Sequence, residues 1–335
     1  MTAIQWTDET WNPVTGCTKV SAGCKNCYAE ALAPRVFAGQ VEPIVAPVDE
    51  DPRTGQVRVD VVDTRARRFT DVRCHPERLE KPLRWRKPRR VFVNSMSDLF
   101  HEDVPDEFIL RVFNTMRACW TDTPRRGHTF QILTKRPERM RDVCRRMRFD
   151  GAGAGRLWLA DHPDDIGGWP LMGATPGSEP LPNVWLGVSV EDQATADERI
   201  PILLDTPAAV RWISAEPVLG PIDLWGARYA NPNGGKTGAV TSWDGGLDWV
   251  VCGGESGRKA RPCDVAWIRS IVEQCRAAGV PCFVKQLGTK PGTIENSPID
   301  GAVLIREFGL SHPKGGDPAE WPEDLREREW PEVSP

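Results

Sequence analysis

Short apolar runs alternate along the chain with longer stretches in which apolar residues recur every three or four positions. The runs are rich in β-branched and aromatic residues, as expected of strands covered on both faces. Six runs are clear, at residues 91–93, 130–133, 184–188, 210–213, 249–251 and 282–284, and a weaker one lies around 4–6. We therefore expect a sheet of about six to seven strands.

Helices are predicted between several of these strands. One begins near Pro105, a second begins at Pro137, and a third follows Asp264 as its N-cap and ends before Gly279. Proline suits the first turn of a helix, aspartate its N-cap, and glycine the position after its last turn. Alternating strands and helices predict an α/β fold with a parallel sheet. We expect a partial (β/α) TIM-like barrel with loop insertions. A flat doubly wound sheet is the alternative, but no G-x-G-x-x-G motif follows an early strand.

Three segments interrupt the alternation, near residues 39–73, 151–182 and 229–246. The first contains an alternating run at 57–62 that predicts a hairpin over the barrel mouth. The other two are loop-like, and long loops are often lids or substrate-binding elements. Solvated insertions are the alternative. We expect residues 1–290 to form the barrel with these insertions, and residues 291–335 to form a C-terminal extension that packs on it.

Cys17, Cys24 and Cys27 lie within eleven positions of one loop near the N-terminus, and no further Cys or His lies nearby. A structural zinc site uses four protein ligands, and ferredoxin-type clusters use four thiolates. Three thiolates can instead hold three irons of a [4Fe-4S] cluster and leave the fourth iron open to a ligand. The alternatives are a zinc site closed by a distant residue and three unrelated buried thiols.

Several motifs occur in one order between about Ile4 and Gly288. They are Trp11-Asn12-Pro13, Gly16-Cys17, Gly23-Cys24, Asn26-Cys27-Tyr28-Ala29-Glu30, Phe92-Val93-Asn94-Ser95-Met96-Ser97-Asp98-Leu99-Phe100, Leu133-Thr134-Lys135-Arg136-Pro137, Gly187-Val188-Ser189-Val190-Glu191, Ser214-Ala215-Glu216-Pro217, Gly253-Gly254-Glu255-Ser256-Gly257 and Phe283-Val284-Lys285-Gln286-Leu287-Gly288. In these motifs the chain resembles the three-cysteine-motif proteins of bacteriophages and prophages. That family in turn resembles the radical S-adenosylmethionine enzymes, and among them the spore photoproduct lyases, which repair DNA.

The resemblance implies a [4Fe-4S] cluster and S-adenosylmethionine as cofactors. It also implies reductive cleavage of the cofactor, abstraction of a hydrogen atom from the substrate, and an external electron donor of the flavodoxin or ferredoxin type. One departure is the cysteine spacing, which is C-x6-C-x2-C here and typically C-x3-C-x2-C in the superfamily.

Polar residues follow strand after strand, at the edge where a parallel barrel gathers its catalytic groups. The resemblance implies cofactor-binding roles for eight of them: Ser95, Ser97, Asp98, Lys135, Ser189, Glu191, Glu216 and Glu255. The first three would hold the methionine ammonium, Lys135 its carboxylate, and Ser189 with Glu191 the ribose. For each residue a loop cap or turn former is the alternative. Cys252, at an inferred strand end, is a candidate hydrogen-atom donor, with a buried core residue as its alternative.

The overall charge of −4 and the pI of about 5.9 give no support for non-specific binding to nucleic acid. Two basic segments, 65–90 and 135–148, run against this average and could contact phosphates. Their alternative is the solvated face of a helix. No apolar run reaches the ~18 residues that span a bilayer, and the N-terminus lacks a signal-peptide pattern. We expect a cytoplasmic protein whose ten cysteines are reduced or metal-bound.

The functional expectation is a radical S-adenosylmethionine enzyme that acts on a nucleic acid or nucleotide, in phage base modification or repair. A second hypothesis is a non-catalytic zinc-binding nucleic-acid module, in which His75 or His101 completes the site. A third is a barrel whose cluster is structural and which acts as a partner subunit.

Overall fold

Seven parallel strands form the central sheet of the computed structural model, which describes residues 4–50, 57–121, 127–149, 157–161, 169–170, 180–225, 228–230, 236–238, 246–296 and 303–332. The strands are β1 (Glu9–Trp11), β2 (Arg90–Val93), β3 (Thr129–Thr134), β4 (Val184–Val190), β5 (Val210–Ala215), β6 (Trp249–Gly253) and β7 (Cys282–Gln286). Their order in the sheet is their order in the chain, and each neighbouring pair is parallel. The sheet curls into a half-barrel, which confirms the predicted fold class. The first strand lies at Glu9–Trp11, so its prediction at 4–6 was a few residues early.

Five helices accompany the sheet in the described part of the chain: α1 (Tyr28–Val36), α2 (Asp106–Thr121), α3 (Pro137–Arg146), α4 (Gln193–Leu204) and α5 (Val265–Ala278). The predicted helices α2, α3 and α5 are confirmed. The Asp264 carboxylate accepts a hydrogen bond from the Ala266 amide at 2.9 Å, and Gly279 ends α5 with a φ of 68°. These are the cap and the left-handed terminus that the sequence indicated.

Side chains on the two faces of each strand enter different cores. On β4, Leu186 and Val188 pack in the large core between sheet and helices. Trp185 points to the other, concave face, where it joins Trp212 and Trp249 in a second, aromatic core. This alternation follows from the two-residue period of a strand. It gives the sheet a convex face under the helices and a concave face inside the half-barrel.

The remaining described elements are short or lie at the periphery. A hairpin pairs Val41–Glu50 with Val57–Ala66, which confirms the predicted hairpin; its position over the mouth stays a prediction. The short strands are Val14–Thr15, Arg73–Cys74, Met147–Phe149, Leu157–Leu159, Trp169–Pro170, Arg228–Ala230, Lys236–Gly238, Cys263–Asp264, Pro291–Asn296 and Val303–Glu307. The 3-10 turns are Ala22–Cys24, Pro76–Arg78, Pro82–Arg84, Pro318–Glu320 and Glu323–Leu325. Most of the predicted insertions at 151–182 and 229–246 lies outside the described residues.

The C-terminal segment covers the outer edge of β7. The Val284 amide donates to the Glu327 carbonyl and the Glu329 amide to the Cys282 carbonyl, each at 2.9 Å. Trp330 then packs against Phe283, with ring centroids 4.9 Å apart. An otherwise unpaired strand edge is therefore protected. Among the residues described, no helix has both the length and the apolar character needed to cross a bilayer.

Candidate functional site

The concave face changes from aromatic to polar along the strand direction. Trp212 is fully buried near the start of β5, Ser214 follows on the same face, and Glu216 comes just beyond the strand. On neighbouring β4, a Cβ at Gly187 would lie 2.5 Å from the Trp212 ring, so the glycine leaves room for the indole. The aromatic side chains of this face, among them Trp185, Trp212 and Trp249, fill the half-barrel toward the N-terminal ends of the strands. Polar chemistry is therefore concentrated at the C-terminal edge of the sheet, where parallel barrels carry their sites.

The loop of residues 12–27, here called the cysteine loop, runs along this edge. Its three cysteines are half-buried, free thiols. The Gly16 amide donates to the Met96 carbonyl at 3.0 Å and the Cys17 amide to the Phe69 carbonyl at 2.9 Å. Cys27 caps α1, and its carbonyl accepts a hydrogen bond from the Ala31 amide at 3.1 Å. The sheet edge therefore holds the start of the loop, and α1 begins where the loop ends.

Asp98 and Arg136 hold the first cysteine. Asp98 is 6% exposed, and its carboxylate accepts hydrogen bonds from the Thr134 hydroxyl at 2.8 and 2.9 Å and from the Lys135 amide at 3.0 Å. The Arg136 guanidinium lies 3.4 Å from the same carboxylate and donates to Cys17 Sγ at 3.7 Å. Burial and the negative charge of Asp98 raise the pKa of the Cys17 thiol to about 12, although Arg136 acts in the opposite direction. A metal bound there must displace this proton.

Glu191 holds the middle of the loop. Its carboxylate is fully buried and receives the Lys135 ammonium at 2.5 Å and the Arg199 guanidinium at 3.3 Å. The Ser21 hydroxyl of the cysteine loop donates to it at 3.3 Å. A Cβ at Gly23 would lie only 2.4 Å from Glu191 Oε1. The residue before Cys24 is therefore glycine because the carboxylate occupies the space of a side chain.

Glu255 holds the end of the loop. It accepts hydrogen bonds from the Asn26 amide nitrogen at 3.0 Å and from Arg261 at 2.7 and 3.0 Å. Arg261 also donates to the Ala22 carbonyl of the loop at 3.0 Å. Burial opposes ionisation of Glu255, but the hydrogen bonds from Arg261 and Asn26 hold its pKa below the usual value. Cys17 is thus contacted by a cation that pairs with Asp98, while Cys24 and Cys27 lie within three residues of Ser21 and Asn26, which bind Glu191 and Glu255.

Glu216 forms a separate ion pair at the same edge. The Lys285 ammonium lies 3.0 and 3.2 Å from its two oxygens, and the Ser214 hydroxyl donates to it at 3.3 Å. Gly253 lies beneath the pair, since a Cβ there would be 3.0 Å from Glu216 Oε1. Among the described residues, no hydrogen bond joins Glu216 to the cysteine loop.

Two of the three predicted serines bind residues of the cysteine loop. The Ser97 hydroxyl donates to the Val14 carbonyl at 2.9 Å, and Ser95 exchanges hydrogen bonds with the Asn12 side chain at 3.2 Å. Ser189 is buried on the concave face of β4, and its carbonyl accepts a hydrogen bond from Arg199 at 2.8 Å. Ser95 and Ser97 therefore attach the cysteine loop to the edge, and neither hydroxyl is reserved for a ligand.

Cys252 is not brought to the concave site. It is fully buried in the core between sheet and helices, on the face opposite Val251. A hydrogen bond with Cys282, together with burial, raises the pKa of its thiol, and Cys275 lies close by. This position supports the alternative of a core residue, and nothing about it supports a hydrogen-atom donor.

The two histidines considered for a zinc site each bond a threonine of the cysteine loop. His75 Nε2 lies 2.7 Å from the Thr15 hydroxyl and its Nδ1 3.0 Å from Glu77. His101 Nε2 lies 2.8 Å from the Thr18 hydroxyl, and its Nδ1 accepts from the Asp103 amide at 3.1 Å.

No three Cys, His, Asp or Glu side chains in the described ranges are arranged to hold a single ion. Among the described residues, neither histidine completes the three half-buried thiols of the loop to a four-ligand zinc site.

Sequence reasoning missed four contacts that shape the site. Asn26 and Arg261 bind Glu255, Arg199 binds Glu191, and Arg136 reaches the Cys17 sulfur. A usable signal existed for Arg199, since it is 3% exposed on a helix face shared with apolar neighbours, and a charge there needs a buried partner. Arg261 lies only six residues after Glu255, whereas the Asn26 and Arg136 contacts join residues 229 and 119 positions apart, and no local pattern indicates them.

The basic segments are largely neutralised within the fold. In 135–148, Arg139 and Arg146 both pair with Asp106, and Arg145 pairs with Asp205. In 65–90, the pairs are Arg65 with Asp71, Arg73 with Glu42, Arg89 with Glu9 and Arg90 with Asp8. These contacts favour structural ion pairs over a surface that follows phosphates.

Comparison with known proteins gives one family. Over residues 1–304 the chain matches a family described as "Protein of unknown function (DUF5131)". No curated protein and no solved structure gives a significant match.

Proposed function

We propose that this chain, which belongs to the DUF5131 family, is a [4Fe-4S]-dependent radical S-adenosylmethionine enzyme. The observation that carries the proposal is the position of the cysteine loop at the C-terminal edge of a parallel half-barrel, the edge at which barrel enzymes act. Cys17, Cys24 and Cys27 are the residues that would hold the cluster. When bound, cluster and cofactor supply one-electron reduction and hydrogen-atom abstraction, while the protein supplies binding and orientation.

The way the loop is held supports this assignment. Asp98, Glu191 and Glu255 are each less than a tenth exposed, and each is ionically paired at this edge. Buried ion pairs rarely add stability compared with apolar packing, so three of them around one loop indicate a requirement other than folding. A rigid arrangement of thiols is such a requirement.

Both positively and negatively charged side chains remain accessible to a ligand at this edge. The side chains of Lys135, Lys285 and Glu216 are 19%, 24% and 13% exposed. A site with partly exposed ammonium and carboxylate groups suits a zwitterionic ligand such as the methionyl part of S-adenosylmethionine. We propose that Lys135 and Glu216 contact the cofactor, and that Asp98, Glu191 and Glu255 position the loop.

The substrate class is proposed on the family resemblance alone. A nucleic acid or nucleotide would not be bound by segments 65–90 and 135–148, because most of their cations already pair with carboxylates. A nucleotide that enters the mouth is compatible with this charge distribution. A duplex that lies along either segment is not.

The testing experiment is electron paramagnetic resonance on anaerobically reconstituted protein, reduced with dithionite, with and without S-adenosylmethionine. We expect a [4Fe-4S]⁺ signal whose shape changes when the cofactor is added. The matched control is Cys275→Ala, which removes a buried thiol outside the loop. A protein that binds one tight zinc ion and gives no cluster signal would refute the proposal.

A further inference from the structure

Exposed large apolar side chains concentrate beside the cysteine loop. Nine are exposed among the described residues, and six of these lie between positions 20 and 44: Val20, Tyr28, Leu32, Val36, Val41 and Ile44. Tyr28, Leu32 and Val36 are spaced by four residues on α1 and therefore line one face of it. We call these three residues the α1 stripe. Contiguous exposed apolar surface often marks an interaction site.

The stripe is not explained by the folding of α1. The buried residues of the helix are Ala29 and Ala33, followed by Phe37 just beyond its end. The helix therefore turns its small side chains inward and Leu32 and Val36 outward, the reverse of the usual surface helix, while the Tyr28 ring is half-exposed with its hydroxyl at the sheet edge. Tyr28, Leu32 and Val36 are 51%, 41% and 47% exposed, so burial within this chain does not account for them.

The charge around the stripe is positive. Lys25 lies three residues before α1, Arg35 lies within it, and the Lys259 carbonyl accepts a hydrogen bond from Asn26 at 2.8 Å. All three side chains are exposed, and within the described part of the chain none of them forms an ion pair. The one acidic residue of α1, Glu30, is paired with Lys19 at 2.8 Å. This local excess occurs on a chain with a net charge of −4. An acidic partner with an apolar centre complements such a surface.

The stripe starts at a candidate cluster ligand. Cys27 is the N-cap of α1 and Tyr28 is its first residue. The Tyr28 hydroxyl donates to the Ser95 carbonyl at 2.6 Å, which fixes the ring beside the sheet edge. A partner on the stripe would therefore lie close to the cysteine loop.

We propose that the α1 stripe is the docking surface of an acidic, one-electron carrier protein. The inference rests on the proposed function, because a carrier is needed only if Cys27 helps to hold a redox centre. The reduced carrier would supply one electron to the cluster that Cys17, Cys24 and Cys27 would hold, with no bond formed or broken. A short apolar stripe with a basic surround is typical of small, electrostatically steered and transient redox interfaces.

The test compares reconstituted wild type with the double variant Leu32→Glu, Val36→Glu. Trp120→Glu is the matched control, since Trp120 is 38% exposed near the end of α2. The probe is a reduced acidic flavodoxin, whose flavin absorbance reports its oxidation in stopped flow. Its affinity for each protein is measured by calorimetry. Dithionite serves as the small reductant that needs no docking surface.

We expect the double variant to be reduced by flavodoxin on the order of tenfold more slowly, with a matching loss of affinity. Reduction by dithionite stays unchanged in all three proteins, and raised salt slows the flavodoxin reaction of the wild type. Equal flavodoxin rates in wild type and double variant would overturn the inference and leave the proposed function intact.

Two further outcomes also overturn the inference. A wild-type dimer that the double variant converts to monomer would assign the stripe to a second copy of the chain. A wild type with no reducible cluster would overturn the proposed function together with this inference.

Discussion

The two faces of the central sheet are formed by the same seven strands but carry different side chains: one buries apolar residues under the helices, and the other has ion-paired charges at its edge. On the convex face, Val188, Ile213 and Val250 are fully buried against the helices. On the concave face, β4 and β5 end in serines and are followed by Glu191 and Glu216, both ion-paired. The convex face supplies apolar burial, the main source of folding free energy. The folding free energy from this apolar burial offsets the buried charges at the concave edge, which contribute little to stability.

The largest expected difference between the two faces comes from replacing one cysteine at each: Cys24 in the cysteine loop at the concave edge and Cys275 in the convex core. Cys24→Ala should abolish iron binding and, with both proteins compared free of cluster, leave the free energy of unfolding within about 0.5 kcal/mol of wild type, because the thiol is half-buried in a loop. Cys275→Ala should keep full iron content and lose about 1–2 kcal/mol, because it leaves a small cavity in the convex core. Iron analysis and urea unfolding measure the two effects, and an equal iron loss in both variants would count against the assignment.

Substitution of Arg136 tests whether the ion pairs at the concave edge hold the cysteine loop in place. Arg136→Met leaves the buried Asp98 carboxylate without its cation and Cys17 without a donor, so we expect a loss of about 3 kcal/mol and reduced cluster content. Arg136→Lys keeps the charge but not the planar fork. It should restore most of the stability and still alter the shape of the paramagnetic signal. Wild-type behaviour of Arg136→Met would show that this contact is incidental.

Gly23 tests the close approach of loop and carboxylate. In Gly23→Ala the new methyl group meets the Glu191 carboxylate, and the loop or Glu191 must move. We expect about 1–3 kcal/mol of destabilisation and a lower yield of reconstituted cluster. Gly309→Ala is the control, since a Cβ there meets no atom within 4 Å. The measurement is urea unfolding with iron analysis, and equal results for the two variants would contradict the structure at this point.

The smallest expected effect distinguishes two carboxylates at the C-terminal edge of the sheet, Glu255 and Glu216. Glu255→Gln weakens the hydrogen bonds to Asn26 and Arg261, so the cysteine loop should become easier to cleave with trypsin, with about 1 kcal/mol lost. Glu216→Gln should leave loop cleavage unchanged and instead weaken binding of S-adenosylmethionine. Faster loop cleavage in Glu216→Gln would erase the distinction between the carboxylates that hold the loop and the one proposed to face the ligand.

Much of the fold could be predicted from the sequence. The β-branched runs located strands β2 to β7, and proline, Asp264 and Gly279 marked the ends of helices. Such signals are local, because each depends on the conformation of a few adjacent residues. The first strand was placed at 4–6 because Trp6 lies in an apolar run, but its ring packs in the concave aromatic core. α4 was not predicted, since Arg199 and Pro201 interrupt its apolar pattern.

The site was predictable in part. The sequence pointed to the edge residues, but it assigned Asp98, Glu191 and Glu255 to a ligand, whereas the structure pairs them with Arg136, Lys135 and Arg261. Arg136 and Lys135 follow β3, whereas Asp98 and Glu191 follow β2 and β4, so these two pairings depend on how the strands are ordered in the sheet; Arg261 follows Glu255 by six residues in one loop. Cys252 shows the same limit, because a one-residue step along β6 decides which face a side chain joins.

By itself the sequence determined the α/β class, the parallel sheet and the unusual grouping of three cysteines, because these are encoded in periodicity and spacing along the chain. Only the tertiary structure decided which charges neutralise one another, that the cysteine loop is held at three carboxylates, and that α1 presents its large apolar side chains to solvent. The physical reason is the distance along the chain over which each kind of interaction acts. Backbone preferences act between near neighbours, whereas burial and ion pairing depend on residues that the chain brings together only when it folds.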